Sequence, residues 1–260
     1  MSKNKTYIKI IIFIAVFFVI MFALFGVDNI RKNGYTTVLI VGDNTVWYYK
    51  KQNWVNYSNS SFSSDLDWQK YTVYLDNEKF GDYLLWHDDK WYAFDDKKNA
   101  ISMNGKLLAY KSNHKISIHK FTEETIDDMT PVYQVLENNG LDKDSKFTSS
   151  YKVSFDYDND DVEEEFYIIS NAFPIGYDPS KTFSIAFMVD GDNIYPIYTD
   201  VSNNVSTFDG CKPYYNTFLD VDNDKKYEFV LSCSRYGISD TVDMLYKNED
   251  NEFKIIISNQ

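Results

Sequence analysis

Glycine and proline are scarce in this chain, with 10 and 5 among 260 residues. That excludes collagen-like repeats and flexible low-complexity tracts. Clustered basic charge is missing as well: 26 Lys and Arg stand against 39 Asp and Glu, a net charge of −13. Nucleic-acid binding needs basic clusters to meet phosphates, so no nucleic-acid partner is expected. No GxSxG, HExxH, P-loop or dinucleotide fingerprint occurs, which removes the enzyme classes built on those motifs. Cysteine is limited to Cys211 and Cys233. With none near the N-terminus, a lipid-anchored cysteine is excluded.

Aromatic and acidic side chains are what the chain has in quantity. Its 22 Tyr and 19 Phe bring aromatics to 18%, a composition suited to β-sheet faces. The length fits one large or two small domains, either able to bury a core.

Lys3, Lys5 and Lys9 precede an uncharged apolar run from Ile10 to Val27. As a helix the run rises roughly 27 Å, close to the ~30 Å hydrocarbon core of a bilayer. It reads as a transmembrane signal-anchor over residues 10–27, with residues 1–9 as a cytoplasmic tail. Three Lys before the run outweigh Arg31 and Lys32 after it, which orients the N-terminus inwards. The competing reading is a signal peptide cleaved near Gly26 and a secreted product. Against it, Leu24 and Phe25 stand where a cleavage site wants small residues. The expected location is the cell membrane, single-pass, with the C-terminal part extracytoplasmic.

Residues 28–35 form a polar linker. Over 36–120, short runs such as TTVLIVG, TVWYYK, YTVYL and KWYAF alternate with polar turns, the pattern of antiparallel β-structure. Asn104-Gly105 is a two-residue hairpin signal. All five Trp lie between Trp47 and Trp91. They either fill a small β-core or form a platform for sugar rings or cell-wall polymers. The short aromatic strands are similar to those of wall-binding SH3-like modules. His114 and His119, five apart on a strand, face opposite sides and share no metal.

Residues 121–146 read as a connector, with a helical passage over 121–140. Thr130 serves as N-cap, Pro131 as N1 and Gly140 as the stop. Val132, Val135 and Leu136 make an apolar stripe that would pack on a sheet. From 147 to 260 the β pattern resumes as a second domain, with Asp190-Gly191-Asp192 as a hairpin turn.

Two acidic stretches in this part, FDYDNDDVEEEF and LDVDNDKKYEF, are each set between strands. Asp156, Asp158, Asp160 and Glu164 stand at relative positions 1, 3, 5 and 9, and Asp220, Asp222, Asp224 and Glu228 repeat those offsets 64 residues later. Alternate residues of a tight loop can turn carboxylates to one centre, and Ca²⁺ wants six to eight oxygens. These stretches resemble the D-x-D-x-D-G-x-x-[DE] calcium loops of FG-GAP/VCBS-type repeats. The resemblance implies side-chain ligands from those eight acids, backbone carbonyl ligands from Val162 and Lys226, and a structural Ca²⁺. The chain departs from the pattern where the family has glycine: Asp161 and Lys225 stand there, and Asp tolerates left-handed geometry better. The first loop is therefore the better candidate, and its seven acids in ten residues repel one another without a cation.

Cys211 and Cys233 each lie eleven residues from Asp222. A hairpin around the second loop would bring them face to face, and an external domain permits a disulfide; two buried thiols are the alternative. The expected protein is mainly β, an antiparallel ectodomain of two small β-domains behind a transmembrane helix. The C-terminal domain is expected to be partial-propeller or sandwich-like. Its expected role is a non-catalytic, calcium-stabilised binding or scaffold module for a cell-wall glycan or surface protein. A cell-wall hydrolase with paired carboxylates, or a subunit of an envelope complex, are the alternatives.

Overall fold

The computed structural model describes residues 34–43, 45–57, 66–88, 90–172, 181–202, 211–235, 241–250 and 252–259. The expected tail 1–9, the span 10–27 and most of the linker lie outside them. No helix among the described residues is long and apolar enough to cross a membrane. The described chain is mainly β, and every strand pairing is antiparallel.

Eight strands make the N-terminal sheet: β1 (Thr36–Val41), β2 (Thr45–Lys50), β3 (Asn53–Asn56), β4 (Gln69–Leu75), β5 (Glu78–His87), β6 (Trp91–Phe94), β7 (Ala100–Ile101) and β8 (Leu107–Ser112), ordered β3-β2-β1-β8-β4-β5-β6-β7. Lys51-Gln52 and Asp76-Asn77 supply the paired positive φ of tight hairpins. Asn104-Gly105 departs from expectation. It lies between β7 at the sheet edge and β8 in the middle, so it is a crossover rather than a hairpin. Asp76 decides this, because its carboxylate and backbone N–H hold both polar groups of Lys106.

β9 (Ser117–His119) leaves that sheet and pairs with β14 (Cys211–Asp220). The expected helix over 121–140 is confined to α1 (Thr130–Asn138). Upstream, both backbone polar groups of Glu124 pair with Lys152, which commits that segment to a sheet edge. Met129, not Thr130, is the N-cap. At the other end Gly140 (φ 64) allows a Schellman closure, with Leu141 N–H bonding the Leu136 carbonyl and Gly140 N–H that of Glu137.

Two four-stranded meanders follow. The first is β10 (Ser149–Phe155), β11 (Glu164–Ser170), β12 (Thr182–Asp190) and β13 (Asn193–Ser202). The second is β14, β15 (Glu228–Arg235), β16 (Thr241–Glu249) and β17 (Glu252–Ser258), with β9 added at its edge. Gly191 (φ 54) closes the β12–β13 hairpin, as the sequence predicts.

The sheets stack in layers because their strands alternate between two buried faces. Phe166 and Ile168 of β11 share a core with Phe229 and Leu231 of β15. Val230 of β15 and Leu245 of β16 pack with Leu39, Trp47 and Leu108 of the N-terminal sheet. Tyr167, Ile169 and Phe183, on the far face of the first meander, are covered by Val132, Val135 and Leu136 of α1.

The two meanders face the same way. The 64-residue offset maps Tyr157 onto Val221, Phe166 onto Val230 and Tyr167 onto Leu231. Tyr157 and Phe166 lie in the core between the meanders, whereas Val221 and Val230 face the N-terminal sheet. Tyr167 faces α1, whereas Leu231 faces the first meander. Equivalent faces therefore stack head to tail.

Candidate metal centre

Both acidic stretches close hairpins, the first between β10 and β11 and the second between β14 and β15. Their backbones match position by position. Asn159 and Asp161 have φ of 59° and 69°, and Asn223 and Lys225 have 58° and 73°. The positions where the resembled repeats carry glycine are thus left-handed here too, held by Asp161 and Lys225.

Internal hydrogen bonds repeat in the same register. Asp156 accepts the N–H groups of Asp160 and Asp161 at 3.1 and 3.2 Å, and Asp220 accepts those of Asp224 and Lys225 at 3.2 Å each. Asp160 accepts from Val162 N–H and Asp224 from Lys226 N–H, both at 2.9 Å. Glu164 reaches back to Tyr157 N–H at 2.6 Å, and Glu228 to Val221 N–H at 3.0 Å. Each closing Glu is buried at a strand start, which pins the loop to its sheet.

In the first loop, oxygens of Asp156, Asp158 and Glu164 lie within 4.8 Å of one another. Asp160 is turned to its own turn instead. Burial pushes the Glu164 carboxyl up to about 7, with Asp158 and Asp160 adding to the rise. Asp158 Oδ1 is shielded from water and takes no hydrogen bond from the described residues. A buried carboxylate oxygen with no donor is costly unless a cation meets it, so the donor set fits a hard, oxygen-seeking ion. Among the described residues, the one ion pair reaching these ligands is Lys226 Nζ to Asp158 Oδ2 at 3.5 Å.

In the second loop the close triad is Asp220, Asp222 and Asp224. Here Lys247 from β16 intervenes. Its Nζ lies 2.8 Å from Asp222 Oδ2, 3.0 Å from Glu228 Oε1 and 3.3 Å from Asp224 Oδ2. Burial would lower the Lys247 pKa, but Glu228, Asp222 and Asp224 more than offset it and hold the ammonium charged. The sequence pattern does not single out Lys247, because only strand register brings residue 247 beside residue 228.

The loops touch. Tyr227 N–H donates to the Tyr157 carbonyl at 3.3 Å, and the Asn159 side-chain amide donates to the Lys225 carbonyl. The histidines serve packing near them. His114 Nε2 lies 2.5 Å from the Val221 carbonyl, and His119 stacks on Phe155 with 4.1 Å between ring centres.

Cys211 and Cys233 are disulfide-bonded. A register shift between Tyr215 and Thr217 pairs Cys233 with Pro213 and Cys211 with Arg235. The bridge therefore joins diagonal neighbours, not residues directly opposite.

The tryptophans divide between core and surface. Trp47 and Trp91 are buried, and Trp54 packs on the core between the N-terminal sheet and the second meander. Trp68 is 41% exposed. It contacts Phe94 at 4.9 Å and Trp86 at 6.4 Å, and Trp86 contacts Tyr92 at 5.7 Å. These four rings form a continuous strip on β5, β6 and the turn before β4. No protein-family model, curated protein or solved structure matches this chain.

Proposed function

We propose that this is a membrane-anchored, extracytoplasmic binding or scaffold protein, non-catalytic, whose β-layers are stabilised by calcium in the first acidic loop. The carrying observation is the buried Asp158 oxygen without a donor, set beside Asp156 and the buried Glu164. Further support for an FG-GAP-like reading is the head-to-tail stacking of two meanders with the same loop in each, as in consecutive blades of a partial propeller. The ligands would be Asp156, Asp158 and Glu164, with the Val162 carbonyl and with Asp160 swinging in from its own turn. The anchor would be residues 10–27. The binding face would be the strip of Trp68, Trp86, Tyr92 and Phe94, whose rings suit the C–H faces of a cell-wall glycan.

The test is the melting temperature of the full chain with and without calcium at about 1 mM, in the range of extracellular modules. Calcium at tenfold its Kd would add about 1.4 kcal/mol, a few degrees for a chain of this size. The shift should vanish in the Asp156→Asn, Asp158→Asn double variant. No shift in the wild type would sink the calcium reading.

A further inference from the structure

The two loops have matching positive-φ positions, the same offsets and a repeated set of internal hydrogen bonds, yet the strand beside each differs. Glu165 pairs with Val189 across β11 and β12, and Phe229 pairs with Tyr246 across β15 and β16. Continuing each register by one step sets Asp190 opposite Glu164 and Lys247 opposite Glu228, where the Lys247 ammonium lies 3.0 Å from the carboxylate. The position that carries a cation beside the second loop carries an acid beside the first.

We propose that Lys247 is the resident cation of the second loop, so that this loop takes no metal and, of the two acidic loops, one holds a divalent cation. The Lys247 ammonium lies among the acids at relative positions 3, 5 and 9, three of the carboxylates that would ligate an ion in that loop. Two positive centres cannot share that space, because a divalent ion would stand within contact distance of the ammonium. The ammonium has only three protons to give and takes one oxygen from each of three carboxylates, which suits a point charge on a stem. It also comes tethered to β16, so closing the second loop costs no binding from solution.

The location of the two loops gives this division a physical sense. The second loop is packed under the N-terminal sheet: Tyr49 is pushed up to about 12 by burial and by Asp222 and Glu228 nearby, and His114 meets the Val221 carbonyl. An internal cation keeps that layer contact independent of ion supply. Only the first loop, next to α1's meander, is left to respond to external calcium.

The single wild-type site rests on the calcium reading of the first loop, whereas the role of Lys247 is read from the second loop alone. The test counts calcium equivalents by titration calorimetry on the full chain and four variants. Expected are one equivalent for the wild type, one for Asp222→Asn with Asp224→Asn, and none for Asp156→Asn with Asp158→Asn. Lys247→Ala, which frees the second loop, should rise to two. Asp190→Lys, which brings an ammonium to the first loop, should fall to none and melt alike with and without calcium.

Two equivalents in the wild type, or the loss of one in the Asp222, Asp224 variant, would overturn the proposal while leaving the calcium reading intact. No equivalents in the wild type but one in Lys247→Ala would remove the first-loop site and support the role of Lys247. No gain in a folded Lys247→Ala chain would overturn it. Should Lys247→Ala fail to fold even with calcium, the wild-type count and the Asp222, Asp224 arm still decide.

Discussion

The Tyr227 N–H donates to the Tyr157 carbonyl at 3.3 Å, tying the end of the second acidic loop, just before β15, to the start of the first, just after β10. The Asn159 amide on the Lys225 carbonyl adds a second tie. A loop ordered by an ion would therefore order its neighbour through backbone contacts.

Hydrogen exchange should register that coupling. With saturating calcium, the Asp160 and Asp161 amides, which already donate to Asp156, should exchange more slowly. A slowing of about tenfold corresponds to about 1.4 kcal/mol of added local stability. The Tyr227 amide should slow with them. Protection confined to the first loop would show that the Tyr227–Tyr157 bond transmits nothing.

The disulfide closes a separation of 22 residues around the second loop. Replacing Cys211 and Cys233 with Ser should lower unfolding stability by about 3 kcal/mol. Urea denaturation of the full chain would give the difference. A loss below about 1 kcal/mol would mean that the unfolded chain keeps residual structure around this loop without the bridge.

Acidification should weaken the fold through His119. Burial against Phe155 holds its imidazole below the usual histidine range. Between that folded value and about 6.5, the unfolded chain binds more protons than the native one. The His119 contribution should therefore rise with pH through this window and fall below about 6.5, opposing Glu164, whose raised carboxyl contributes less as pH rises from 4.5 to about 7. His119→Phe keeps the stacked ring and should flatten that part of a stability–pH curve. An unchanged slope would assign it to other groups.

Gly105 has φ of +128°, and a Cβ there would lie 2.4 Å from Asp76 Oδ2. Asp76 holds the Lys106 N–H at 2.9 Å, so the contact cannot open without losing the crossover. Gly105→Ala should cost more than about 1 kcal/mol, measured by chemical denaturation. Gly42, with nothing near its Cβ position, provides the comparison in which only the left-handed backbone is strained.

The aromatic strip should be separable from stability. Trp68 is exposed and Trp86 half-buried, so Trp68→Ala should shift the melting temperature little. If the strip takes a glycan, sedimentation with purified insoluble cell-wall polymer should fall at least tenfold in this variant. Unchanged sedimentation would remove the strip as the binding face.

Local chemistry made much of this protein legible in the sequence. Alternating apolar runs between polar turns marked the strands, because a strand with buried faces must repeat every second residue. Pro131 and Gly140 bracketed a helix, since one lacks an N–H and the other accepts φ > 0. The acidic offsets and the two cysteines marked the metal-type loops and the bridge. Where local signals misled, a long-range partner had taken over: Asp76 turned Asn104-Gly105 into a crossover, and Lys152 drew Glu124 out of the expected helix.

By itself the sequence determined the β character, the paired acidic loops and the cysteine pair, because each is carried by spacing along the chain. Tertiary structure alone decided how the layers stack, which tryptophans face solvent, and that Lys247 falls beside the second loop where the equivalent register position of the first carries Asp190. Those relations depend on strand register and sheet order, which bring Lys247 within reach of acids 19 to 25 positions away. A one-residue change in register would move either side chain to the opposite face.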